Sequence, residues 1–333
     1  MSKSTNNNEY ESYIEKKHAE MQTPVENIDD YVRKATHQGI SNIKRLMRGE
    51  ANEVYDITLN QGQQIIVRIS HNRYGSFGKE GWAMEQCKKN GIPVPNVLMI
   101  EDDETKEKFR SICILEKLKG QPLLKRVEDK TISPEDLNLI LKNVGTLLSQ
   151  IHSIPTRKFG WLNEHGESIF ATWDQYVLRR SEKIDRYKEV IQKISLEPSL
   201  VDKAFALLIK NREHYSSVKP VLLHGDLGYE HIFVDGTTIT GIIDWGNTLS
   251  GDPAHDFAWW NFFHDSDNTG TILLDGYQIA KKTATDFQIR QMLCQLYLSL
   301  DFLDYYDQGN FKRGVNISAS NLQKALDYFD KNG

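Results

Sequence analysis

Apolar and polar residues alternate in two short runs early in the chain. Tyr55, Ile57 and Leu59 stand at every second position, N-Q-G-Q at 60–63 interrupts them, and Ile65, Val67 and Ile69 resume the alternation. A period of two marks half-buried strands, and a glycine-bearing break between two such runs marks a hairpin. F-G-K-E-G-W-A-M-E-Q-C-K-K-N-G at 77–91 predicts a helix that ends at Gly91. N-V-L-M-I (96–100) and F-R-S-I-C-I-L-E (109–116) predict two further strands around a charged turn. Residues 39–117 therefore form a sheet of four or five strands with one helix. Ahead of it, N-I-D-D-Y-V-R-K-A (27–35) predicts a short helix with Asn27 as its N-cap.

Beyond L-K-G-Q-P at 118–122 the period changes. Ser133-Pro134-Glu135-Asp136 is a helix start, with a capping serine, proline at the first position and a carboxylate three residues after the cap. Leu137, Ile140, Leu141, Val144, Leu147, Leu148 and Ile151 follow at helical spacing. Amphipathic helical segments also fill 172–215 and 254–330, and residues 221–247 are the one strand-like island among them. The expected class is α+β. Residues 1–117 make a small sheet-rich lobe (1–36 being a frayed, partly helical extension), 118–122 a tether, and 123–333 a larger helical lobe. Small-molecule sites tend to lie in the cleft such a plan creates.

Composition narrows the function without naming it. The 333 residues carry a net charge of −5, with 39% hydrophobic and 26% charged content. That balance fits a soluble globular protein and argues against a broad nucleic-acid-binding surface. Three scattered cysteines, Cys87, Cys113 and Cys294, support neither a disulfide framework nor a thiolate zinc site. With so few cysteines, no apolar run long enough to span a membrane and no signal-peptide core in the first residues, a cytoplasmic location is expected; the expected state is a monomer.

The island V-L-L-H-G-D-L-G-Y-E-H-I-F-V-D-G-T-T-I-T-G-I-I-D-W-G-N (221–247) concentrates chemistry. With Asp235–Thr238 as a hairpin loop, Val234 faces Ile239 and His231 faces Ile242. Asp244 then becomes a diagonal neighbour of His231 on one face, roughly 7–8 Å away at Cα. Asp226 stands five positions before His231, the spacing at which protein kinases place a catalytic Asp and a magnesium-binding Asn. D-W-G at 244–246 occupies the place of their D-F-G.

H-G-D-L-G-Y-E-H, I-I-D-W-G-N and G-D-P-A-H-D-F-A together resemble the aminoglycoside phosphotransferases, antibiotic kinases with a two-lobed, protein-kinase-like fold. The likeness spans about residues 40–270. It implies Asp226 as the catalytic base or hydroxyl orienter, position 231 and Asp244 as magnesium ligands, and Asp256 as a brace of the catalytic loop. His231 departs from the commoner Asn and is similar to the macrolide kinases, which also carry His there; hard magnesium prefers oxygen. F-G-W-L-N-E-H-G with A-T-W-D (159–174) is loosely similar to the hygromycin kinases. His224 reads as a structural hydrogen-bonder beside the loop.

Arg68 projects from the strand face opposite Ile65, Val67 and Ile69. Glu80 shares the inward stripe of its helix with Ala83, Met84 and Cys87, and a carboxylate there needs a cation; Arg68 is the natural partner. Kinases use a Lys–Glu pair at these places to grip phosphates, and Arg keeps both the charge and a bidentate fork. Gly49, in R-G-E-A-N-E-V-Y (48–55), is either an ordinary turn glycine or part of a phosphate-covering hairpin. On the acceptor side, Asp301 and Asp304 with Asp307 form either a field that attracts a polycationic sugar or a solvated helix face. Trp259, in W-W-N-F-F-H-D, serves sugar stacking or core packing.

The expectation is a kinase that uses magnesium to move the γ-phosphoryl of ATP or GTP to a hydroxyl of an aminoglycoside-type antibiotic, conferring resistance. A macrolide or metabolite-alcohol kinase of the same fold is the nearer alternative. A metal-dependent hydrolase built on His224, Asp226, His231 and Asp244, or a non-catalytic binding module, is the more distant one.

Overall fold

In a computed structural model, described for residues 21–47, 52–72, 76–104, 109–264 and 268–332, the early alternation becomes a five-stranded antiparallel sheet. Its strands are β1 (Ile40–Leu46), β2 (Asn52–Leu59), β3 (Gln64–Ser70), β4 (Val97–Glu104) and β5 (Phe109–Glu116), in the order β1-β2-β3-β5-β4. Helix α1 (Val25–Thr36) covers one face. Ile28 and Val32 pack there with Tyr55, Ile57, Ile65, Val67, Ile69, Ile112 and Ile114 in a core of their own. The opposite face meets α2 (Gly78–Lys89), whose Ala83, Met84 and Cys87 pack with Cys113 and Leu115 into the core of the C-terminal part. The two patterns agree because strand side chains alternate between faces, whereas a helix presents one stripe.

Asn27 is not an N-cap. It lies inside α1, which starts after Pro24 without a side-chain cap. Thr23 is already held by Glu53, through its backbone N–H (3.2 Å) and its hydroxyl (2.7 Å), so the chain enters the helix earlier than the cap signal suggests.

After β6 (Gln121–Pro122) the chain turns largely helical. In α3 (Pro134–Ile151) the predicted start is present: Ser133 Oγ accepts from the Asp136 amide at 3.0 Å. Two three-stranded sheets interrupt the helices. One joins β6 to β9 (Ile232–Asp235) and β10 (Thr238–Ile242); the other joins β7 (Gly160–Trp161), β8 (Val221–Leu223) and β11 (Leu249–Gly251). Strands as short as β7 and β11 show no alternation, so only 221–247 is strand-like in the sequence. Helices α4 (Ala254–His264), α5 (Thr269–Ala280), α6 (Phe287–Gln308) and α7 (Lys312–Asn332) complete the chain. No helix among the described residues is long and apolar enough to cross a membrane.

Candidate active site

Strand β8 ends at Leu223 and delivers His224, Gly225 and Asp226 to a loop. Gly225 has φ +81°, and a Cβ there would sit 2.1 Å from the Asn247 carbonyl oxygen, so the turn admits only glycine. Asp256, fully buried on α4, braces this loop: Oδ2 accepts from His224 N and Oδ1 from Gly225 N, both at 2.9 Å. His152 Nε2 donates to the same carboxylate at 3.0 Å. Burial opposes the Asp256 anion, but its bond to His152 and the surrounding histidines hold it at about 2. His224 is equally buried, and its Nε2 donates to the Ile243 carbonyl at 3.0 Å. Burial pushes its imidazole down to about 4, so it is neutral. Both supporting residues thus act through hydrogen bonds to backbone, tying the loop to the segment that carries Asp244.

That segment corrects the expected register. Val234 does face Ile239, but the ladder slips between Ile239 and Gly241, so Ile242 faces Ile232. His231 accepts instead from Ile243 N, at 2.9 Å. The bulge adds a residue to β10, and Asp244 leaves it with φ +63°. An Asp tolerates that left-handed geometry better than most residues. The His231–Asp244 pairing nevertheless forms, Nε2 to Oδ2 at 3.5 Å. His231 Nδ1 donates to the Asp226 carbonyl at 2.6 Å, which orients its ring.

Asp226 and Asp244 are partly open to solvent. Burial lifts the Asp226 carboxyl to about 7; His231 opposes this, and the Asp244 charge adds to it. Asn247 Nδ2 donates to Asp226 Oδ2 at 2.8 Å and leaves Oδ1 free of that bond. Desolvation works against the Asp244 anion, but Arg68, His231 and His224 outweigh it and keep the carboxyl below its usual value. Burial likewise disfavours the His231 imidazolium, and Asp244, Asp226 and Glu230 overcome that and raise it.

Arg68 links the sheet to this centre. Its Nη1 lies 2.5 Å from Glu80 Oε2 and its Nη2 3.3 Å from Asp244 Oδ1. Glu80 is 4% exposed, on the inward stripe of α2 as expected. Burial raises its carboxyl and the guanidinium opposes the rise. Gly49 and its hairpin tip fall outside the described residues.

The acidic run on α6 is not a free negative field, because each of its carboxylates is ion-paired. Arg180 Nε donates to both oxygens of Asp301 at 2.8 Å, Lys183 and Arg186 reach Asp304 at 2.9 and 3.0 Å, and Arg186 and Lys193 reach Asp307 at 2.5 and 2.7 Å. These cations come from the segment 180–193, more than a hundred residues upstream, so nothing around residue 301 announced them. Trp259 is half-buried, with ring centroids 5.6 Å from Phe263 and 5.1 Å from Phe302. Asn247 and His152 were missed from the sequence. Asn247 had a signal, since it directly follows D-W-G; His152, at the end of α3, had none.

Among the described residues no three His, Cys, Asp or Glu side chains are grouped to hold a metal by themselves. A cavity of about 450 Å³ lies beside α2, between Gly81, Met84, Ile100 and Glu164, and none of Asp226, His231 or Asp244 lines it.

The architecture is that of a kinase-like phosphotransferase: a five-stranded antiparallel sheet joined to a helical part, with the aspartate loop and the D-W-G segment where the two meet. The chain belongs to the phosphotransferase enzyme family, whose model matches residues 42–288. It is 22% identical over 222 residues to hygromycin-B 4-O-kinase of Escherichia coli, a match covering 66% of this chain and 61% of that protein's length. Aminoglycoside phosphotransferase APH(4)-Ia, solved in ternary complex with AMP-PNP and hygromycin B, superposes with a TM-score of 0.70 at 18% identity, over 90% of this chain and 97% of that one. Macrolide 2'-phosphotransferase MphH of Brachybacterium faecium superposes at 0.59 with 16% identity, over 89% and 97%. The resemblance and the two-lobed fold expected from the sequence are borne out.

Proposed function

We propose that the chain transfers the γ-phosphoryl group of a nucleoside triphosphate, ATP or GTP, to a hydroxyl of a small-molecule acceptor. The observation that carries this reading is the convergence of Asp226, His231, Asp244 and Arg68, drawn from two parts of the fold, on one solvent-reached point. Phosphoryl transfer is mostly positioning and charge neutralisation, and such a set supports both. Asp226, with its carboxyl lifted to about 7, accepts a hydrogen bond from the acceptor hydroxyl and takes its proton as the hydroxyl oxygen bonds to the γ-phosphorus and the bond from that phosphorus to the β,γ-bridging oxygen breaks, releasing the nucleoside diphosphate. Asn247 fixes the orientation of that carboxylate. Arg68, kept in place by Glu80, meets the phosphate oxygens with its guanidinium.

The donor set suits a magnesium ion carried in by the nucleotide. Magnesium is usually held by one or two protein ligands together with substrate phosphates and water, and His231 and Asp244 are two such groups. When bound, the ion neutralises charge on the phosphates. A hydrolytic dimetal centre would need more protein ligands, and it would leave the Arg68–Glu80 pair without a role.

An aminoglycoside-type acceptor, with resistance as the consequence, is the first reading, supported by the likeness to hygromycin-B 4-O-kinase. A less cationic acceptor such as a macrolide is the second. It is favoured by the cations that already occupy Asp301, Asp304 and Asp307, and by Phe263 and Tyr305, exposed at 43% and 57% near Trp259 and Phe302. The test is a screen of purified protein against aminoglycosides and macrolides with ATP and with GTP, reading nucleoside diphosphate release. Release dependent on one acceptor class assigns the substrate. No acceptor-dependent release with either nucleotide across both classes refutes the antibiotic-kinase reading.

A further inference from the structure

Helix α2 carries Glu80 on its inner face, and its outer face is also gripped. Two residues along a helix turn the side chain by about 200°, so Trp82 points away from the side on which Glu80 meets Arg68. Its indole lies against Gly166. That glycine has φ +72°, and a Cβ on it would fall 2.1 Å from the Trp82 ring. One turn earlier the fit runs the other way: a Cβ on Gly78 would fall 2.6 Å from Glu164 Cβ. Lys79 Nζ stands 5.5 Å over the Trp161 ring. Three residues of α2 are therefore seated against one turn, 161–167, of the C-terminal part.

The turn is built to keep its shape. Asn163 Oδ1 accepts from the His165 and Glu167 amides, both at 2.9 Å, Asn163 N donates to the Glu167 carbonyl at 2.9 Å, and Gly166 N donates to the Asn163 carbonyl at 3.0 Å. Its root is tied to the site. Trp161 pairs with Leu249 and Leu249 with Leu223, so one sheet carries the turn, the strand entering the Asp226 loop and the strand leaving the Asp244 segment. The circuit closes through Asp244, Arg68 and Glu80 back to α2.

We propose that the turn 161–167 is a clasp that sets the position of α2, making Gly166, Trp82 and Asn163 positioning residues for the Arg68–Glu80 pair and hence for nucleotide phosphates. The proposal rests on the kinase reading above. In it, the helix position that orients the phosphate-binding cation is imposed by a built-in contact and needs no partner or modification.

The experiment compares nucleotide KM and kcat, with magnesium, for full-length wild type, Trp82→Ala, Gly166→Ala, the double variant and Asn163→Ala. Gly166→Ala should raise the nucleotide KM about tenfold, in line with the cost of misplacing a positioning group, while kcat changes by less than about twofold. The added methyl meets the Trp82 ring first, at 2.1 Å; removing the ring relieves that clash and leaves the left-handed backbone strain at residue 166, so the double variant should show clearly less than the product of the two single effects. Asn163→Ala opens the turn without altering α2 and should raise KM in the same direction, which keeps the test available if a packing variant fails to fold. A nucleotide KM within about twofold of wild type in folded Gly166→Ala or Asn163→Ala overturns the clasp; so do multiplicative effects in the double variant. Wild type that binds neither ATP nor GTP sinks the kinase reading itself, an outcome distinct from clasp variants that match a nucleotide-binding wild type.

Discussion

Asp256→Asn puts a number on the brace under the Asp226 loop. The native carboxylate has no solvent exposure and serves three donors, His224 N, Gly225 N and His152 Nε2. Its pKa falls from an ordinary 3.8 to about 2, which at about 1.4 kcal/mol per unit is a stabilisation of about 2 kcal/mol at neutral pH. Asn keeps the shape but turns an amide donor toward one of two backbone donors, leaving a buried clash that costs about 1–3 kcal/mol more. The expected loss is therefore about 3–5 kcal/mol, a large share of a domain's net stability. Urea unfolding at pH 7 measures it. The sign of the pH dependence is also set. A carboxyl with a depressed folded pKa contributes fully above its unfolded value and loses the contribution as pH falls through the folded one. The gap between wild type and variant should thus narrow between about pH 4 and pH 2. An unfolding free energy within about 0.5 kcal/mol of wild type at pH 7 would show that the brace carries no such load.

The other expectations are more direct. Asp226→Ala should cut phosphoryl transfer by about 10²–10⁴-fold with an unchanged circular dichroism spectrum; full activity would remove the proton-accepting role. Asp244→Ala should weaken nucleotide binding in magnesium but much less in EDTA, and identical titrations in the two conditions would count against a metal role for that residue. Ser133→Ala should cost about 1 kcal/mol in urea unfolding, because it strands the Asp136 amide at the start of α3. Glu53→Gln should destabilise the N-terminal part most above pH 4.5: burial opposes the Glu53 anion, but bonds from His71, Tyr55 and Thr23 hold it at about 2, so its contribution disappears as pH falls through that value. An equal effect at pH 7 and pH 3 would exclude this origin.

Much of the architecture could be read along the chain because burial has a local period. Ile65, Val67 and Ile69 mark one strand face and so place Arg68 on the other; Glu80 shares its stripe with Ala83, Met84 and Cys87. Those spacings pair Arg68 with Glu80 and His231 with Asp244, and the family resemblance carried by H-G-D and D-W-G implies that Asp226 joins them. Tertiary structure decided the rest. A one-residue bulge moved His231 off Ile242, and the local alternation does not say where along a ribbon such an extra residue is inserted. Asp301, Asp304 and Asp307 read as an acidic face until Arg180, Lys183, Arg186 and Lys193 are folded against them. His152 finds Asp256 across 104 residues, and Trp82 finds Gly166 across a comparable stretch. Periodicity encodes which side of an element is buried; it carries no information about which distant element lies there, and a long-range partner is selected by shape and charge only once the chain has closed on itself.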